Sequence, residues 1–84
     1  MTREEFMNEY ESAADEMTRE EFRRVFAAGR ELLKDTFSDR ELAEQLGAGA
    51  TTIDRWLNGI SCPAPMARKV YIRKLIRRVI TLEG

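Results

Sequence analysis

Histidine is absent from this chain of 84 residues, and cysteine occurs once, at Cys62. No internal disulfide can form, and a zinc site or a histidine-based catalytic device lacks its usual groups. Two prolines interrupt the chain, so helices are little restricted. The apolar stretches are only a few residues long, too short for a membrane span. Charges arrive at Arg3, Glu4 and Glu5, and no apolar run of the length a signal peptide needs follows them. Gly47-Ala48-Gly49 is too short for a phosphate-binding loop. These absences lead to the expectation of a cytoplasmic chain that is not an enzyme, with no metal, no cofactor and no small-molecule ligand.

What is present is dense charge on an apolar framework: 43% hydrophobic and 35% charged residues. This composition favours a folded, helix-rich domain. A chain of this size buries only about 60–65% of the surface its unfolded form exposes. Its core is therefore thin, and either efficient packing or a second subunit must complete it. The net charge of −1 conceals an asymmetry. Residues 1–21 carry eight acids against Arg3 and Arg19, residues 22–49 balance, and residues 50–84 carry seven bases against Asp54 and Glu83. A local basic surface is what phosphate binding requires, whatever the total.

The first 22 residues hold a direct repeat, Met1-Thr2-Arg3-Glu4-Glu5-Phe6 and Met17-Thr18-Arg19-Glu20-Glu21-Phe22. In each copy Thr precedes Glu by three residues, the capping box that opens a helix. Phe6, Tyr10, Ala13, Ala14 and Met17 recur at helical spacing, as do Phe22, Val25, Phe26, Leu32 and Leu33. Helices are expected over about 3–16 and 19–34. Gly29 lies inside the second, where it costs about 1 kcal/mol relative to alanine; close approach of another helix would explain it. The repeat reads either as a recurring helix start or as an alternative start at Met17, with residues 1–16 an optional acidic attachment.

Ser38 and Glu41 form a third capping box, opening a helix over about 39–46 that Gly47 ends. Ala50 to Leu57 form the next, stopped by Asn58 and Gly59. Pro63 and Pro65 make a loop of residues 60–65, and a last helix follows to about 81. No strand signal occurs. The whole is read as one all-α domain: an acidic N-terminal helix in 1–17, a core over 22–59, and a C-terminal helix at 65–81.

Two short helices about a glycine turn, at 39–58, have the form of a helix-turn-helix, whose second helix can enter a DNA major groove. Leu42 and Leu46 share one face, as do Ile53, Trp56 and Leu57. Ala43 is small where the helices cross, and Gly47 can take the positive φ of a sharp exit. Trp56 is expected inside by its spacing from Ile53. Ala50, Thr51, Thr52 and Arg55 are left outward, at a helix N-terminus that attracts phosphate. Arg55 could pair with guanine O6 and N7, and the threonine or alanine methyls could touch a thymine methyl.

This segment resembles the Cro/phage-repressor (Xre) family of helix-turn-helix regulators. Leu42, Ala43, Gly47, Thr52, Ile53, Trp56, Asn58 and Gly59 fall on that family's pattern without an insertion, and a weaker likeness covers about 22–75. The resemblance implies a five-helix, lambda-repressor-like DNA-binding domain, here with an extra acidic helix in front. It also implies that Ala50, Thr51 and Arg55 read bases while Thr52, Asn58 and Ser61 hold phosphates. Two positions depart from the pattern. Asp39 stands where the family often has a phosphate-binding Gln, and Arg40 beside it is expected to compensate. Ala50 stands where many members carry Gln, which leaves base recognition leaning on Arg55.

On the last helix Arg68, Tyr71, Ile72, Leu75, Ile76, Val79 and Ile80 cover about 180° of arc, wider than the roughly 100° one core requires. Ile76, Val79 and Ile80 are therefore expected to meet a second subunit, and Arg68 and Lys69 to touch phosphates. Cys62 reads as a half-buried packing residue. The function expected is that of a homodimeric, sequence-specific transcriptional regulator, a repressor from a phage, plasmid or other mobile element. It would bind a palindromic operator in double-stranded DNA with recognition helices about 34 Å apart. The alternative is a protein-interaction module, such as an antitoxin whose acidic N-terminal helices bind a partner protein.

Overall fold

Capping chemistry sets the helix starts. In the computed structural model, which describes residues 2–12 and 17–83 and side chains as far as 81, Thr18 accepts a hydrogen bond from the Glu21 amide. Glu21 returns one from the Thr18 amide, at 3.1 and 3.0 Å. Ser38 and Glu41 repeat the exchange at 3.2 and 3.1 Å, and Thr2 and Glu5 do so more loosely. Behind these caps run α1 (Arg3–Ser12), α2 (Arg19–Leu33) and α3 (Asp39–Leu46); α4 (Ala50–Leu57) and α5 (Pro65–Glu83) complete an all-helical chain. Among the described residues there is no strand, and no helix is long and apolar enough to cross a membrane. The expected end of the first helix, at 16, lies outside the described residues, as do Ala13 and Ala14.

Both phenylalanines of the repeat are fully buried: Phe6 on α1 and Phe22 on α2. Burying one such ring stabilises by about 1.5–3 kcal/mol, so Phe6 makes α1 part of the core of this chain. Gly29 shows why. A Cβ there would stand 2.9 Å from Leu75 Cδ1 on α5 and 3.0 Å from the Phe6 ring. The glycine lets α1 and α5 both close on α2. Polar ties finish the docking, with Arg24 paired to Glu9 at 2.8 Å and Arg73 donating to the Tyr10 hydroxyl at 3.1 Å.

An aromatic group fastens α4. Trp56 is 5% exposed and meets Phe22 and Phe26 edge-on, each at 5.6 Å, and the tilted ring of Tyr71 on α5 at 4.8 Å. Such pairs add about 0.5–1.5 kcal/mol each beyond their burial. The inward placement expected of Trp56 holds.

The wide apolar arc of α5 has a different cause from the one expected. This helix packs against α1, α2 and α3 at once, so three neighbours share the arc that a single core would leave over. Ile76 and Val79 are 7% and 3% exposed within one chain. They belong to its core, so of the three residues expected at an interface Ile80 alone is exposed, at 45%.

Candidate nucleic-acid interface

The α3–α4 pair is built around its turn. Gly47 has φ +73°, and nothing lies within 4 Å of where its Cβ would be. The backbone conformation, not lack of room, requires glycine here. The Gly47 and Ala48 amides close the end of α3 on the Glu44 and Ala43 carbonyls at 3.3 and 3.0 Å. Leu42, Ala43 and Leu46 of α3 and Ile53 and Trp56 of α4 are buried, which fixes the crossing. Ala50, Thr51 and Arg55 are left exposed, with Thr52 half-buried beside them.

At the head of α4 the N-cap is Gly49, and no side chain caps the helix. The first amides of the helix therefore stay unsatisfied by the protein's side chains. α2 and α3 differ, since Thr18 and Ser38 close their starts. The far end of α4 is closed. The Ile60 amide donates to the Arg55 carbonyl at 2.9 Å, Gly59 takes φ +73°, and Arg23 Nε donates to the Leu57 carbonyl at 3.2 Å.

Asp39, the acidic departure at the start of α3, is gripped by both arms of an arginine. Arg30 Nε and Nη2 reach its two carboxylate oxygens at 3.0 and 3.1 Å. The pairing holds the Arg30 guanidinium above its ordinary value, first through the hydrogen bond and then through the carboxylate charge. Asp39 thus has an ion-pair partner in Arg30, on the preceding helix, while Arg40 beside it stays exposed. Sequence reading missed Arg30 because the two residues belong to different helices. It also passed over Asp54, an exposed carboxylate on α4 next to Arg55.

The remaining candidates divide. Asn58 is exposed, but its amide donates to the Asp54 carbonyl at 2.9 Å, tying it to its own helix. Ser61 is half-buried and, with Cys62, lines a cleft of about 130 Å³ beside Arg19 and Arg23. Arg68 does not present itself to phosphate. Its Nε donates to the Pro63 carbonyl at 2.9 Å and its Nη1 to the Met17 carbonyl at 2.7 Å. These carbonyls, in the loop before α5 and at the α1–α2 junction, need donors, and the arginine fork supplies them. Lys69 lies over the Tyr10 ring, 5.2 Å from its centre, so it faces α1.

Lys74 also serves the fold, donating to the Leu46 carbonyl at 3.2 Å. Of the six bases on α5, four thus contact their own chain, while Arg77 and Arg78 are exposed. The basic half of the sequence is largely a set of internal ties, and the α3–α4 pair itself carries two exposed bases, Arg40 and Arg55. Among the described residues no cluster of acids and cysteine is arranged to hold a metal ion. No protein-family model, curated protein or solved structure matches the chain.

Proposed function

We propose that this chain is a DNA-binding transcriptional regulator that lays α4 in the major groove. One observation carries the reading: the α3–α4 pair, turned at Gly47, buries Leu42, Ala43, Leu46, Ile53 and Trp56 and leaves Ala50, Thr51 and Arg55 outward. A helix presented that way can bring a guanidinium to a guanine edge and methyl groups to thymine. The uncapped start of α4 and the exposed Arg40 supply what a phosphate on either side would need. The ion pair of Asp39 with Arg30 offsets the repulsion that Asp39 would otherwise exert.

The arrangement agrees with a lambda-repressor-like domain carrying an additional helix, α1, in front. Repression would follow from occupancy of promoter DNA, with no reaction and no cofactor. A palindromic operator calls for two copies, and with Ile76 and Val79 inside the chain their contact must use other residues. Selection of bound duplexes from random-sequence DNA tests the reading. Convergence on one site is expected; recovery of unrelated sequences at the end of selection would contradict it.

A further inference from the structure

Four large apolar side chains are exposed among the described residues, and three of them lie on α5: Met66 at 82%, Val70 at 44% and Ile80 at 45%. Isolated exposed apolar residues are ordinary, but these three share one line. At 100° per residue, Met66, Val70, Arg73, Arg77 and Ile80 fall within about 80° of arc, on the side opposite Ile72, Leu75 and Val79. The spacing of four, three, four and three residues is that of a helix–helix seam. Arg73 and Arg77 stand between the apolar ends, and Arg73 is held in place by the Tyr10 hydroxyl at 3.1 Å.

We infer that this stripe is a docking surface for an acidic amphipathic helix of a partner protein, carrying apolar anchors at the seam and carboxylates opposite Arg73 and Arg77. Charge complementarity selects that occupant over a second copy. Laid parallel, two α5 helices would set Arg73 and Arg77 against their own copies. Laid antiparallel, with Met66 matched to Ile80, they would set Arg73 against its copy and Arg77 beside Lys69. Like charges so placed disfavour pairing.

The outer face of α1 offers Glu4, Glu5 and Glu11 but no exposed apolar side chain, so α1 of a second copy would leave Met66, Val70 and Ile80 uncovered. Nucleic acid would be drawn to the arginines, but phosphates do not cover an exposed methionine. The surface is independent of the face assigned to DNA on α4. It also differs in sign from the alternative reading of the sequence, in which the acidic N-terminal helices bind a partner protein.

The test uses the full chain and a fluorescein-labelled synthetic peptide of about three heptads, with leucine placed to meet Met66, Val70 and Ile80 and glutamate placed opposite Arg73 and Arg77. Binding is followed by fluorescence anisotropy. Saturable binding in the micromolar range is expected. It should weaken about tenfold or more in the M66S/V70S double variant, in Arg77→Glu, and with a peptide whose leucines are serine. All three altered positions are exposed, and circular dichroism verifies that each variant is folded. Absence of saturable binding overturns the proposal, as does equal affinity for the serine peptide, which would reduce the contact to charge alone. A wild-type dimer in sedimentation that M66S/V70S dissociates would assign the stripe to a second copy. Loss of duplex-DNA affinity on Arg77→Glu alone would assign it to nucleic acid.

Discussion

Arg40 and Arg68 were both candidates for phosphate, and their surroundings give them different work. Arg40 is exposed at the start of α3, while Arg68 supplies charged donors to two main-chain carbonyls. Arg40→Ala is expected to reduce the slope of log affinity against log salt by about one for any duplex, with little change in melting temperature. Arg68→Ala should act the other way round. Two carbonyls lose a charged donor, at a cost to stability of about 1–3 kcal/mol, while the salt slope for DNA stays the same. Thermal melts and salt titrations of both variants check the pair. What hid Arg68 was sequence distance: the carbonyl it holds belongs to Met17, 51 positions away.

At the scale of helices, α1 is the element whose standing changes most. A chain begun at Met17, the second copy of the repeat, would lack Phe6 and leave the space beside Gly29 and Leu75 empty. Loss of a buried phenylalanine alone costs about 3–5 kcal/mol. The shortened chain is therefore expected to unfold at much lower urea than the full one, and an equal urea midpoint would make α1 dispensable. The capping box of α2 adds a pH dependence. The Thr18 amide, then its hydroxyl, holds the Glu21 carboxyl below the ordinary value of 4.5. A carboxyl depressed on folding stabilises above its unfolded value, and that contribution fades as pH falls through the lower folded value. Urea midpoints taken from pH 6 to pH 3 should fall less steeply for Glu21→Gln than for the unaltered chain. Helix boundaries were legible because their causes are local: Thr18 with Glu21, Ser38 with Glu41, and Gly47. The partner of a helix face is not local. The broad arc of α5 looked like a surface for a second subunit, and only the placement of α1, α2 and α3 around it shows Ile76 and Val79 to be core.

For the molecule as a whole, the acidic first helix and the basic last one come together, and most bases of α5 are tied to uncharged groups of their own chain. Acidic α1 lies against α2 and α5, joined by Arg24 to Glu9, Arg73 to Tyr10 and Lys69 over the Tyr10 ring. Few bases remain to hold DNA by charge alone, so under the proposed function discrimination rests on the outward face of α4, and on Arg55 in particular. The most direct measurement is selection of bound duplexes from random DNA, run in parallel with the unaltered chain and with Arg55→Ala. The selected site should lose its preference at one base position, guanine by the geometry of a bidentate arginine. Affinity for the original site should fall by about 1–3 kcal/mol. An identical selected site bound equally well by both proteins would contradict the assignment of α4 as the reading helix.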